Sequence, residues 1–236
     1  MRPAAETDRN AEDPRAHELD IATALASTDP ERAIASVDWL EASIAADRDA
    51  RAFTAWGQST VIDENTRDPV IGAGLFGALH RYAGIEATWP VGNAGLIHCY
   101  GYLLSLAATP YGLKRERWLT SDLARAAGLP DDALTPWRPG PTLLSRAAEL
   151  MTVALHDAAP HLDVPVPIAD RIVTSRIGIL HSAGMSAVAY SVAGRLITAF
   201  PMTAPPERIR ADLVAELPRL RWNAVLSALG HPHAVS

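Results

Sequence analysis

The sequence predicts an α+β fold: a helix-rich N-terminal two-thirds, then a small antiparallel β-meander covered by a C-terminal helix. Three observations carry this reading. Segments with helical spacing and capping residues recur as far as Asp157. After Pro160 the chain turns to runs rich in Ile, Val, Thr, Tyr and Ser. Ala183-Gly184 and Ala193-Gly194 then divide those runs at strand-length intervals.

Residues 1–16, with Pro3, Pro14 and mixed charges, read as a flexible tail, and 17–236 as one α+β domain with a sub-boundary near 158–170. A short helix is expected over 17–27. Asp29-Pro30 caps a second, on which Ile34, Val37, Leu40 and Ile44 recur near helical spacing. A third, over 48–57, carries Phe53 and Trp56. Residues 58–69 are polar and read as a loop, and 85–92 as a turn. Between them, 70–84 is apolar but broken by Gly72, Gly74 and Gly77, which point either to close packing against another element or to a loop that becomes helix at about Leu75, with Gly84 as its C-cap.

Asn93 is a good N-cap for a helix over 94–107 that is apolar on nearly every face, and hence buried. Thr109-Pro110 ends it. A short helix capped by Thr120 or Ser121 closes at Gly128. A proline-rich loop follows over 130–141, then a strongly amphipathic helix over 142–157. Residues 161–167 alternate proline with apolar side chains, as an extended connector does. Strands are expected over 171–181 and 185–202, the second divided at Ala193-Gly194 into two of the three strands of the meander. A helix over 203–217 and a short one around 223–229 complete the chain.

The chain has 236 residues, 48% of them apolar and 20% charged, which suits an ordinary globular protein with a sizeable core. A net charge of −6 disfavours broad binding to nucleic acid or an anionic membrane. No apolar run is long enough for a membrane span, and the polar start lacks a secretion signal, so a cytoplasmic location is expected. The single cysteine excludes an intramolecular disulfide and any Cys-x-x-Cys site. The histidines are scattered, so no metal is expected, and no cofactor motif is present. The sequence leaves self-association into a homo-oligomer open.

Candidate chemistry gathers between Trp89 and Trp118. The Gly92-Asn93-Ala94-Gly95 turn offers amides at a helix start, where a carboxylate or phosphate could rest, with Asn93 as a binding residue. His98 and Tyr102, at i and i+4, share a face of an otherwise apolar helix and are expected to handle protons. Cys99 beside them is read as a packed side chain. The cluster from Tyr111 to Trp118 sets three cations within four residues and suits an anionic substrate. Lys114 is the only lysine among many arginines, and lysine alone of the two can give up its proton, so it is taken as catalytic and Arg115 as binding. In the meander, Arg176 interrupts an apolar pattern, so it either points into a pocket or pairs with a carboxylate, and it is assigned to substrate binding. His181 sits at a turn and is expected to be catalytic. A straight helix would part Asn93 from Lys114 by about 20 Å, so they share a site only if 110–118 folds back.

The function expected is an enzyme acting on a small anionic metabolite, a carboxylate or phosphate, by cofactor-independent acid/base chemistry of lyase, isomerase or hydrolase type. Two alternatives compete. One is a DNA-binding regulator, because 119–129 followed by 142–157 outlines a helix-turn-helix, although four prolines interrupt it and Arg146 is the one cation of its second helix. The other is a partner-binding protein without chemistry.

Overall fold

The structure is a computed structural model and describes residues 13–157 and 159–226. Most of the expected tail, the end of the last helix candidate (227–229), His231 and His233 lie outside the described residues. The architecture is α+β. Helices α1 (Pro14–Leu25), α2 (Pro30–Ala35), α3 (Asp38–Asp49) and α4 (Ala73–Ala83) come first. Short strands β1 (Gln58–Thr60) and β2 (Val91–Asn93) flank α4. The hairpin β3 (Ala108–Thr109) and β4 (Gly112–Leu113) leads into α5 (Glu116–Leu119), α6 (Asp122–Ala126) and α7 (Leu143–Leu155). Strands β5 (His161–Ile168), β6 (Arg171–Ser182), β7 (Met185–Val192) and β8 (Arg195–Met202) follow, then α8 (Pro206–Ala215) and β9 (Ala224–Val225). No helix among the described residues is long and apolar enough to cross a membrane.

Local chemistry explains most boundaries. Asp13 and Asp29 cap α1 and α2, each followed by proline at the first helical position, whose missing amide costs nothing there. The helix expected to run on from Pro30 breaks at Val37, whose backbone is extended (φ −126°, ψ 89°) while its side chain is fully buried. The helix expected over 48–57 is instead the end of α3, a left-handed Arg51 (φ 56°) and a 3₁₀ turn. Gly84 closes α4 at φ 64°, where a side chain would be strained. Thr142 caps α7 by accepting the Ser145 amide.

The main sheet has four antiparallel strands in the order β5-β6-β7-β8, one more than expected. The extra strand is β5, read from sequence as a connector. It lies at the sheet edge and pairs only with β6, so Pro165 and Pro167 cost no ladder on the open side. Both Ala-Gly turns have two consecutive positive φ values, 50° and 75°, the geometry of a two-residue hairpin that follows strand twist.

The small sheet, in the order β2-β1-β9, joins three segments that are distant in sequence. Residues 58–60 therefore form a strand where a loop was expected, and 224–225 a strand where a helix was expected.

The buried segment after Asn93 is a π-turn over Leu96–Tyr100 and a 3₁₀ turn over Gly101–Leu104, all buried, rather than one α-helix to 107. The Trp118 indole N–H donates to the His98 carbonyl at 2.7 Å, and an outside donor on a helix carbonyl is a recognised cause of such irregularity. Helices α1, α4 and α7 pack against this segment, and α3 reaches it through the hydrogen bond from the Tyr100 hydroxyl to Asp47, within one buried cluster that runs from Leu19 to Leu213. Helix α7 packs between α3 and the four-stranded sheet. Its close approach to β6 depends on Gly178, where a Cβ would stand 2.0 Å from the Ala154 carbonyl oxygen.

Candidate functional site

The site begins with the return of the chain from β4. Trp118 is buried, and its bond to the His98 carbonyl pulls residues 114–118 back over the buried segment. Lys114 and Arg117, three apart on the same side of this turn, come over the Tyr102 ring. The Lys114 Nζ lies 5.4 Å and the Arg117 Cζ 5.5 Å from its centroid. Tyr102 in turn packs on the His98 ring, with centroids 4.9 Å apart. The predicted i, i+4 contact is thus made even though the helix is irregular.

Asp63 supplies the counter-charge. Its Oδ1 accepts the Asn65 and Thr66 amides at 2.8 and 3.1 Å, and its Oδ2 lies 2.6 Å from Lys114 Nζ. Arg117 makes no ion pair among the described residues. Its Nη1 donates to the Thr198 hydroxyl at 2.8 Å and to the Ala199 carbonyl at 3.1 Å. Asn223 Nδ2 reaches the Tyr102 hydroxyl at 3.5 Å, while Asn223 Oδ1 accepts the Glu64 amide at 3.1 Å. Trp222 and Asn223 both have left-handed backbones (φ 51° and 66°), the kind of strain that accumulates at functional sites.

These groups border a cavity of about 540 Å³, within the range of small-molecule sites. His98, Tyr102, Lys114, Arg117, Thr198 and Asn223 line it, with Phe200, Ile209, Leu213 and Trp222 on other walls. A second cavity of about 510 Å³ adjoins it, and the Glu64–Arg219 pair borders both.

The charge states follow from burial. Burial, then repulsion from Arg117, lowers the Lys114 pKa, against the pull of Asp63. Burial presses Asp63 upward but is outweighed by Lys114 and the two amides, so the carboxyl stays below its ordinary value. The ion pair therefore holds, and the proton it can release most easily is on Lys114. Burial raises Tyr102 to about 12, with Arg117 opposing, so it enters the site protonated. Burial, then Arg117 and Lys114, push His98 well below the ordinary imidazole value.

Neutral His98 has a fixed tautomer. Its Nδ1 lies 2.7 Å from the Ile197 carbonyl, which can only accept, so Nδ1 carries the hydrogen. Its Nε2, 3.1 Å from Ser59 Oγ, accepts the serine proton. Burial raises the Cys99 thiol far above its ordinary value, which leaves it an inert packed group.

Of the residues singled out from sequence, His98, Tyr102 and Lys114 meet at this cavity. The other four lie elsewhere. Asn93 caps the turn after it and donates to the Phe53 carbonyl. The space over its glycine neighbours is filled, since a Cβ on Gly92 would meet His80 Nε2 at 2.3 Å and one on Gly95 would meet Trp56 at 2.6 Å. Arg115 pairs with Asp20, and Arg176 with Asp157, just after α7, and with Asp163 of β5. His181 is exposed and bonds Ser186 at 3.0 Å.

The helix outlined for DNA reading is α7, whose face packs on the sheet, and its Arg146 is bonded to the Thr135 carbonyl at 2.7 Å. Among the described residues no group of three His, Cys, Asp or Glu side chains could hold a metal ion.

Sequence reasoning did not single out Arg117, Asp63 or Asn223. For Arg117 a signal existed: in a helical turn the residue three beyond Lys114 shares its side, and the one directly after it does not. For Asp63 and Asn223, both distant in sequence from Lys114, there was none. Comparisons with protein-family models, curated proteins and solved structures give no match.

Proposed function

We propose that the protein is an enzyme that binds a small anionic metabolite in this cavity and moves a proton on it without a cofactor, as a lyase, isomerase or hydrolase does. The observation that supports this reading is the charge imbalance over Tyr102: of two cations, Lys114 and Arg117, only Lys114 is paired with a carboxylate, Asp63. A half-buried cation without a counter-ion is costly, and an anion supplied by substrate would neutralise it. In this reading Arg117 holds the anion. Lys114, charged in its pair with Asp63 and with its pKa lowered, is the general acid that gives a proton to the substrate and takes one back as the turnover closes. Tyr102 donates a hydrogen bond to developing charge, and neutral His98 fixes the Tyr102 ring. Helix α8 covers the sheet and roofs the cavity, which fits the burial of its Ile209 and Leu213 and its nearness to β6. A cytoplasmic setting accords with this chemistry.

The test is a mass-spectrometric comparison of a pooled set of carboxylic and phosphorylated metabolites incubated with wild-type protein or with Lys114→Met. Wild type is expected to deplete at least one anion, and the variant to do so at least about a hundredfold more slowly. Depletion at equal rates by wild type and a folded variant would remove Lys114 from catalysis, and no depletion by wild type would remove the enzyme reading.

A further inference from the structure

Resting on that reading, we propose that the substrate class is a monocarboxylate with an aromatic or bulky apolar body, its carboxylate on the Nε–Nη2 edge of Arg117 and its body against Phe200, Ile209, Leu213 and Trp222. Three features of the cavity lead there. The first is the geometry of Arg117. Its Nη1 is committed to Thr198 and Ala199, while no protein partner is seen for Nε or Nη2 among the described residues. That remaining edge presents two parallel N–H donors, which match the two oxygens of a planar carboxylate.

The second is charge. Lys114 is balanced by Asp63, so one negative charge completes the inner wall. Farther out the lining carries Glu116 and Asp122, which make no ion pair among the described residues, while Asp212 is paired with Arg208, Glu64 with Arg219, and Glu216 with Arg219 and Arg221. A second negative charge at the outer end of the ligand would meet carboxylates. This separates a monoanion from dicarboxylates and from phosphate esters.

The third is the apolar wall. Trp222 stands edge-on to Phe200, with centroids 5.1 Å apart, and Ile209 and Leu213 lie in the same lining. A ligand as small as acetate would leave this wall against water, whereas an aromatic or branched body would bury it. Both ends of the cavity are then used by one molecule.

The experiment is isothermal titration of the wild-type chain with four probes at fixed ionic strength: 3-phenylpropionate, its neutral amide, succinate and inorganic phosphate. The acid is expected to bind about tenfold or more tightly than each of the others. Succinate or phosphate binding as well as the acid would overturn the apolar monocarboxylate while leaving the anion site standing. The amide binding as well as the acid, or no probe binding at all, would overturn both.

Two variants sharpen the assignment. Arg117→Gln is expected to erase the preference of acid over amide, and Phe200→Ala the preference of acid over succinate. Either preference persisting in its variant would overturn the placement of that end of the ligand. Should Arg117→Gln fail to fold, the wild-type comparison of acid with amide decides the carboxylate alone.

Discussion

Lys114 Nζ stands 2.6 Å from Asp63 Oδ2, with the lysine side chain 17% and the aspartate 1% exposed. This is a nearly dry ion pair, set beside a second cation. Removing one partner strands a charge, whereas removing both leaves a neutral gap. Asp63→Asn is therefore expected to cost about 3 kcal/mol, because it also leaves Lys114 exposed to repulsion from Arg117 without its counter-charge. The double variant Asp63→Asn/Lys114→Met is expected to recover much of that loss. Urea unfolding of the wild type, both single variants and the double variant closes the cycle. Strict additivity would mean that the pair is not coupled in solution.

That pair also shows where sequence reading stops. The cap Asp29, the C-terminal Gly84 and the two Ala-Gly turns were legible because their chemistry is local: each depends on residues within a few positions. Strand β5 was not, because Pro165 and Pro167 resemble a connector until one knows that the strand has a free edge. His98, Tyr102 and Lys114 could be singled out by rarity and spacing. Asp63 and Asn223 could not, since an aspartate in a polar loop and an asparagine near the end of the chain look ordinary until the small β2-β1-β9 sheet draws them in. Arg176 and Arg115 interrupt their surroundings as a binding cation would, but the same appearance arises from ion pairs that tie two elements together.

Two glycines separate close packing from open space. A Cβ at Gly178 would lie 2.0 Å from the Ala154 carbonyl oxygen, a backbone atom that cannot swing aside, while at Gly72 a Cβ meets nothing within 4 Å. Gly178→Ala is expected to push α7 off β6 and cost about 3 kcal/mol, the upper range for overpacking. Gly72→Ala is expected to lie within about 0.5 kcal/mol of wild type, as surface changes do. Chemical denaturation of the two variants checks the contrast, and equal losses would place α7 farther from the sheet.

Two buried histidines should make the fold sensitive to mild acid. His80 Nδ1 lies 2.8 Å from the Phe76 carbonyl and so carries the hydrogen, and its Nε2 accepts the Asn93 amide at 3.2 Å. Burial lowers its pKa, as it does that of His98. Folded values below the ordinary 6.5 mean that the unfolded chain takes up these protons first. The stability they confer is complete above 6.5 and is lost as pH falls through their folded values. Asp47 opposes this trend. It is buried against Tyr100 and Thr142, and burial raises its pKa, so its contribution grows as pH falls toward its ordinary range. Asp47→Asn is therefore expected to steepen the acid loss. Long-range ¹H–¹⁵N spectra at pH 7 should show His80 and His98 neutral with hydrogen on Nδ1, and imidazolium signals from either at that pH would contradict their burial.

Trp118 joins the fold to the site through one hydrogen bond. Its indole N–H satisfies the His98 carbonyl at 2.7 Å, and the same residue ends the turn that carries Lys114 and Arg117. Trp118→Phe keeps an aromatic ring in the core but leaves that buried carbonyl unpaired, which is expected to cost about 2 kcal/mol. The larger consequence is positional. Without the anchor the turn is free to drift from Tyr102, so the coupling between Asp63 and Lys114 should shrink along with stability. Repeating the Asp63/Lys114 double-variant cycle in the Trp118→Phe background measures this directly. A coupling unchanged from wild type would show that Asp63 alone holds Lys114, and that Trp118 stabilises the core without positioning the site.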